Sequence, residues 1–334
     1  MQGSSIGRFI LKRTVLAAAV CLCLVAILAA GCTTTTGPAT TTSETPSAAG
    51  QTKGPVTVGS KIDTEGQLLG QMIVLMLEAN GFKVNDKTEF GPTQNVRKAL
   101  LSGELDVYPE YTGSGLVFFK NQDPATYKNP ENGYATDKKL DLEQNKVVWL
   151  TPAKANNTWT LAMKKDFAQK NGLKTMSDFA AYVKAGKPVK IAASDEFFNN
   201  PDAWPAFKKT YGFDIPAAQR VVLAGGNTSQ TEKAVADGTN GVNVGMAYGT
   251  DGGLGELGLV VLTDDKGAQV VYWPTPIIRG EVAAKYPEIA TLLGPVFSSL
   301  TLEKLQELNG RIQVNGESGK AVAKDYLTKN GFLK

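Results

Sequence analysis

The stretch LDVYPEYTGSG, residues 105–115, ends a short apolar run among aromatic and hydroxyl side chains. Leu105–Tyr108 predicts a buried strand that Pro109 breaks, and a helix is expected from Gly115 to Lys120. Between the strand and the helix lie Tyr111, Thr112 and Ser114. Ligands of open α/β sheets bind at such junctions, where the free N–H groups of a helix start accept an anion. The stretch therefore predicts a binding site in an α/β fold.

The preceding residues repeat the order strand, helix, strand, helix. Val56–Gly59 predicts a strand, and a helical pattern of apolar residues follows Thr64, which has capping-box spacing to Gln67. A second strand is expected from Phe82, and Thr93–Ser102 predicts the next helix. This alternation predicts a largely parallel sheet.

The rest of the chain continues the mixed pattern. Further strands are expected at residues 147–150, 159–163, 189–192, 220–223, 242–248, 259–262 and 269–272, and helices around residues 177–184 and 204–211. After residue 272 the sequence predicts mostly helix.

The N-terminal residues predict export. Basic residues at positions 8, 12 and 13 precede the apolar run Val15–Ala30, and Cys32 follows a small-residue site. This order is typical of a lipoprotein signal peptide over residues 1–31, with Cys32 as the lipidated N-terminus, and the alternative is an uncleaved anchor helix. Residues 32–54, rich in Thr, Ser, Ala, Pro and Gly, predict a flexible tether.

Composition excludes several classes of function. The chain has no histidine, which excludes a histidine-based triad or metal site. Of its three cysteines, only Cys32 would remain after cleavage, so no internal disulfide is expected. Residues 1–31 hold three of the 35 Lys and Arg residues and none of the 32 Asp and Glu residues, so the mature charge is balanced. Hence no nucleic acid, metal or cofactor is expected.

Aromatic residues recur at the ends of predicted strands. They are Tyr111, Trp159, Tyr248 and Tyr272. Together they would form a cage that binds quaternary ammonium, because the π faces attract a cation without needing a hydrogen bond. The alternative for each ring alone is a half-buried core position with its polar atom in water.

Five motifs in order resemble one family. They are VGSKIDTEGQLLGQM, ALLSGELDVYPEYTGSG, NNTWTLAM, GMAYGTDGGL and VVYWPTPIIR. Over about residues 55–334 the chain resembles the glycine betaine/carnitine/choline substrate-binding proteins of osmoprotectant ABC transporters. The resemblance implies a two-lobed, type II periplasmic-binding-protein fold, with residues 55–154 and 250–334 in lobe I and residues 155–249 in lobe II. The ligand would lie in the cleft and be buried by hinge closure.

The resemblance also implies which residues hold the ligand. The four rings would surround the ammonium group, and polar contacts would come from Lys61, Thr112, Ser114 and Asn157. Three positions depart from the family pattern: Gly66 stands at a Gln position, Ser114 at a Thr position and Trp159 at a position that is more often Tyr. The alternative for Lys61 is a solvated lysine at a strand end.

The implied function is solute capture. The resemblance implies a monomeric receptor, lipid-anchored on the outer face of the cell membrane or on the periplasmic side, that delivers glycine betaine, or else carnitine, choline or proline betaine, to ABC permease subunits. One alternative is a sensor or interaction lipoprotein of the same fold. Another is an enzyme on this fold, but the sequence shows no paired acid–base groups for catalysis.

Overall fold

The computed structural model describes residues 53–223 and 228–334. Its strands are β1 (Lys53–Lys61), β2 (Phe82–Gly91), β3 (Val107–Tyr111), β4 (Val147–Trp149), β5 (Trp159–Lys164), β6 (Ile191–Ser194), β7 (Arg220–Leu223), β8 (Val244–Tyr248), β9 (Leu259–Val261) and β10 (Pro274–Arg279). Its helices are α1 (Thr64–Ala79), α2 (Thr93–Leu101), α3 (Gly115–Phe118), α4 (Pro124–Lys128), α5 (Pro130–Asn145), α6 (Lys165–Asn171), α7 (Met176–Lys184), α8 (Asp195–Asn199), α9 (Trp204–Tyr211), α10 (Thr228–Asp237), α11 (Gly253–Glu256), α12 (Gly280–Lys285), α13 (Glu288–Ser298), α14 (Leu302–Gln313) and α15 (Gly319–Lys329).

The strands form two five-stranded sheets, in the orders β2-β1-β3-β10-β4 and β7-β6-β8-β5-β9. In the first sheet β1 runs parallel to β2 and β3, whereas β10 runs antiparallel to β3 and β4. In the second sheet β6 runs parallel to β7 and β8, whereas β5 runs antiparallel to β8 and β9. The predicted α/β class is therefore present, but both sheets are mixed and not largely parallel.

Each sheet has its own apolar core. In the first, helix α1 packs against β1 and the C-terminal helices, and Leu68, Met72 and Phe297 are among its buried residues. In the second, Phe179, Trp204 and their neighbours cover one face of β5, β6 and β8. Two separate cores explain how the chain folds as two lobes.

Two chain segments connect the sheets. The first runs from β4 to β5, and the second returns from β9 to β10. They lie side by side, because the Asn157 amide donates to the Tyr272 carbonyl at 2.9 Å and the Tyr272 amide donates to Asn156 Oδ1 at 2.9 Å. Since β9 pairs with β5, we place the return to the first lobe at about residues 268–273, later than the sequence-based boundary at residue 250.

Proline explains the main errors in strand assignment. Pro109 does not end the strand, because β3 extends to Tyr111, and Pro109 lies opposite Pro276 of β10. Two facing prolines fit an antiparallel ladder where neither residue needs to donate an N–H. Strand β10 lies where mostly helix is expected, and residues 269–272, predicted as a strand, form none.

The helix starts near the site also differ from prediction. Asp63, not Thr64, caps helix α1, because its side chain accepts a hydrogen bond from the Gly66 amide at 2.8 Å. The predicted capping box is therefore wrong. After β3, residues Thr112–Ser114 form a 3₁₀ turn that leads into α3, and neither hydroxyl caps that helix.

The predicted signal peptide, Cys32 and nearly all of the predicted tether lie outside the described residues. Within residues 53–223 and 228–334, no helix is long and apolar enough to cross a membrane.

Candidate functional site

A cavity of about 780 Å³ takes its walls from both sheets. Of the residues predicted from the sequence, it is lined by Lys61, Tyr111, Ser114, Asn157, Trp159, Tyr248 and Tyr272. Strand ends supply most of them, as an α/β fold requires of a binding site. The structure thus brings these residues together, and their role in binding a ligand stays a prediction.

Thr112 is the predicted residue that does not line the cavity. It is fully buried, its hydroxyl donates to the Val271 carbonyl at 3.0 Å, and the Trp273 amide donates to that hydroxyl at 3.0 Å. Thr112 therefore fixes the residues on both sides of Tyr272. A direct ligand contact stays a prediction for Thr112, whose hydroxyl is engaged with the backbone in this structure.

Trp159 and Tyr248 form one aromatic wall of the cavity. They face each other across β5 and β8, and their ring centroids lie 6.0 Å apart with an interplanar angle of 23°. The indole also meets Phe197 edge to face, at 6.4 Å between centroids. Burial raises the pKa of Tyr248 to about 12, so its hydroxyl is neutral at physiological pH.

Tyr272 reaches the cavity over the backbone of Gly113. A Cβ atom at position 113 would lie only 2.3 Å from Cε1 of Tyr272, which is too close for any residue other than glycine unless the ring moves. The glycine in the predicted binding stretch is therefore required by the ring above it. Burial raises the pKa of Tyr272 to about 12 as well, so this ring is also neutral.

Tyr111 is more deeply placed than the prediction assumed. It is 6% exposed, and its hydroxyl donates to Glu65 Oε1 at 2.8 Å. The ammonium nitrogen of Lys61 lies 4.5 Å from its ring centroid. A cation of the protein itself therefore contacts the ring that was predicted to contact the ligand's ammonium group.

Glu110 holds that lysine from beneath. Its Oε1 lies 2.5 Å from Lys61 Nζ and also accepts hydrogen bonds from the Tyr111 amide at 2.8 Å and the Ser114 hydroxyl at 2.9 Å. Its Oε2 accepts from the Tyr108 hydroxyl at 2.8 Å. Glu110 is fully buried, so Lys61 and Glu110 form a charge pair at the base of the cavity. Sequence analysis missed Glu110, although a glutamate between two tyrosines in a buried strand is an unusual signal.

Glu65 joins residues from distant parts of the chain. Besides the Tyr111 hydroxyl, its carboxylate accepts from Asn157 Nδ2 at 3.2 Å and from Asn309 Nδ2 at 2.8 Å. Burial raises the pKa of Glu65 to about 7. Hydrogen bonds to its carboxylate lower the pKa and offset part of this effect, and the hydrogen bond from Thr250 is the strongest of them. Sequence analysis missed both Glu65 and Asn309, because no local pattern links residues so far apart.

Two further carboxyl groups, those of Asp251 and Glu232, interact with each other at the cavity. Asp251 lines the cavity and accepts a hydrogen bond from the Tyr248 amide at 2.6 Å, and the fully buried Glu232 interacts with it from α10. Burial and the neighbouring Asp251 carboxyl raise the pKa of Glu232 well above its usual range.

These groups suit a small ligand that carries a positive charge. Aromatic faces attract a quaternary ammonium group, because the π face of a ring is electron-rich. Among the residues that the structure describes, no group of three or more acidic or thiol side chains is placed to hold a metal ion.

Comparison with known proteins gives one consistent result. The model for the substrate-binding domain of ABC-type glycine betaine transport systems matches residues 54–329. The chain is 51% identical over 284 residues to the glycine betaine-binding protein YehZ of Escherichia coli (strain K12), an alignment that covers 85% of this chain and 93% of that protein. It is 31% identical over 284 residues to the ergothioneine transport permease/ergothioneine binding protein EgtU of Helicobacter pylori (strain G27), covering 83% of this chain and 48% of that protein.

The same relation holds in three dimensions. The solved structure of apo YehZ from Escherichia coli has a TM-score of 0.78 at 51% identity, covering 84% of this chain and all of that one. The predicted two-lobed α/β binding-protein fold is thereby confirmed.

Proposed function

Because the chain belongs to the family of substrate-binding domains of ABC-type glycine betaine transport systems, we propose that it captures a quaternary ammonium compound outside the cytoplasm and delivers it to an ABC permease. The single observation that carries this proposal is the convergence of Trp159, Tyr248 and Tyr272 on one cavity. A trimethylammonium group gains little from hydrogen-bonding side chains, so aromatic faces are the groups expected to recognise it.

The cavity suggests how the ligand lies. Its ammonium group would pack against the rings of Trp159, Tyr248 and Tyr272. A carboxylate at its other end would point toward Lys61, with Ser114 and Asn157 beside it. Tyr111 would support Lys61 and not act as an open wall, because its ring is nearly buried and the lysine already contacts it. Glycine betaine is the first candidate, and carnitine, choline, proline betaine and ergothioneine also carry a quaternary ammonium group.

Hinge closure would bury the ligand between the lobes. The two connecting segments lie side by side, and only a few residues in them need to change backbone angles for the lobes to move together. The expected result is a smaller radius of gyration in small-angle scattering with saturating glycine betaine than without it. An equal radius in both states would argue against closure.

We further propose that Cys32 carries a lipid that holds the protein at the membrane surface, on the strength of the basic, apolar and small-residue order before it. Replacing Cys32 with Ala should release the protein from the membrane fraction. Continued membrane association of an uncleaved chain would contradict the proposal.

Calorimetric titration tests the ligand directly. Purified protein is titrated with glycine betaine, proline betaine, carnitine, choline and ergothioneine, and with proline and glycine as controls that lack the quaternary group. We expect saturable binding of at least one quaternary compound and weaker binding of both controls. Absence of binding by every quaternary compound at millimolar concentration would refute the proposal. A ligand that binds but is not taken up by vesicles containing the cognate permease would favour a sensor role instead.

A further inference from the structure

The charges around the cavity are unbalanced. Among the described residues that line it, Lys61 is the only basic side chain, whereas Asp63, Glu65 and Asp251 supply carboxyl groups. A zwitterionic ligand presents a carboxylate to this surface, and a cationic ligand such as choline does not. The group that pairs with the charge of Lys61 therefore decides the relative affinities of zwitterionic and cationic ligands.

The charge of Lys61 is already matched inside the protein. Its side chain is 11% exposed and that of Glu110 is 0% exposed, with 2.5 Å between Nζ and Oε1. The same Glu110 oxygen accepts hydrogen bonds from Tyr111 and Ser114, so the carboxylate is fixed in place. A ligand carboxylate that approaches Lys61 also approaches Glu110, and two like charges at this depth repel each other with little screening.

We propose that Glu110 is a specificity-determining residue, an internal counter-ion that competes with the ligand's carboxylate for Lys61 and shifts the preference of the cavity from zwitterionic betaines toward cationic quaternary amines. The proposal rests on the proposed function, since it concerns the same site. Its alternative is that Glu110 only positions Lys61, in which case Glu110 would favour carboxylate ligands.

Glu110→Gln separates the two roles, because glutamine keeps the shape and an acceptor oxygen but loses the charge. We expect glycine betaine to bind more tightly and choline more weakly, so that the ratio of the choline Kd to the glycine betaine Kd rises roughly ten-fold. The matched control is Glu131→Gln, an exposed member of an ion pair with Lys154 that lies outside the cavity, and its ratio should equal that of wild type.

Glu110→Gln leaves Lys61 without a counter-ion, and the variant could fail to fold for that reason. A second pair of variants avoids this problem. Lys61→Met is compared with Lys61→Met/Glu110→Gln, which removes both charges and is a change that proteins often tolerate. If Glu110 acts on the ligand's charge, the double variant binds glycine betaine more tightly than Lys61→Met does. Both variants are measured at pH 7 and at about pH 9, because an unpaired buried glutamate ionises only at roughly pH 8–9. If Glu110 acts only through Lys61, the two bind alike at both pH values and the proposal is overturned.

The same binding measurements distinguish failure of this inference from failure of the proposed function. Wild-type protein that binds none of the quaternary compounds contradicts the proposed function. Wild-type protein that binds both glycine betaine and choline, with a ratio that Glu110→Gln leaves unchanged or lowers, contradicts the counter-ion role alone.

Discussion

Replacing Trp159 with Ala tests the aromatic wall at its largest ring. The indole is partly exposed to the cavity and faces Tyr248 across the second sheet. One aromatic face contributes roughly 0.5–2 kcal/mol to binding a cation, with tryptophan at the upper end. We therefore expect glycine betaine affinity to fall by about 1–2 kcal/mol, or roughly 5- to 30-fold.

The same change also removes packing. Trp159 makes ring contacts with Phe197 and Tyr248, and each such pair contributes about 0.5–1.5 kcal/mol beyond its buried area. The loss of the two ring contacts should lower the free energy of unfolding by about 1–3 kcal/mol, and the loss of the buried area of the indole adds to it. Trp159→Phe keeps a ring in place and should recover most of both losses.

Calorimetric titration with glycine betaine and urea unfolding of the same samples separate affinity from stability. The matched control is Tyr182→Ala, which removes a part-exposed ring of the second lobe that pairs with Phe167 at 5.9 Å and does not line the cavity. It should lose stability and keep wild-type affinity. Folded Trp159→Ala protein that binds glycine betaine within about two-fold of wild type would refute the aromatic-wall reasoning.

Three further changes have defined outcomes. Gly113→Ala should displace the Tyr272 ring, since the added Cβ would lie 2.3 Å from it, and reduce both the melting temperature and betaine affinity; normal affinity would show that this ring is not a binding wall. In the folded protein burial raises the pKa of Glu65 from 4.5 to about 7, so the contribution of Glu65 to stability is fully present below pH 4.5 and is lost as the pH rises to 7; Glu65→Gln should remove this contribution, up to about 3 kcal/mol, from the pH dependence of urea unfolding, and an unchanged pH dependence would contradict the assignment. Arg97→Met should lower the free energy of unfolding by about 3–5 kcal/mol, because it leaves the buried Asp141 without a counter-ion. Adding Asp141→Asn should recover part of that loss. A loss below about 1 kcal/mol would mean that the pair is not buried in solution.

Local sequence signals predicted the elements that carry the site. Helix α9 and strand β7 have the predicted bounds, and most other predicted elements differ by only a few residues. Such elements depend on periodicity and turn chemistry, which are local properties. The clustering of the rings did not follow from these signals, because Tyr111 belongs to the first sheet, Trp159 and Tyr248 belong to the second, and Tyr272 lies in a connecting segment.

The errors lie where distant residues decide the outcome. Strand β10 exists because β3 and β4 pair with it on both sides, and no local pattern shows that two prolines can face each other there. Likewise, the contact of Glu65 with Asn309 joins helices α1 and α14, which are far apart in the chain. A search for aromatic residues finds the walls of the cavity and misses these polar partners.

The three positions that depart from the family pattern, Gly66, Ser114 and Trp159, all lie at or beside residues that line the cavity. A Cβ atom at Gly66 would lie 2.6 Å from the Lys61 carbonyl oxygen, so glycine there lets the first turn of α1 approach the end of β1. The Ser114 hydroxyl donates to Glu110, the partner of Lys61. Ser114 thus contacts the charge pair, Gly66 allows the close approach of the backbone at Lys61, and Trp159 contributes a large ring to the aromatic wall. Because a betaine joins an ammonium group and a carboxylate in one small molecule, changes near the charge pair and in the aromatic wall alter how well one ligand satisfies both, and specificity should respond to combinations of these residues more than to each alone.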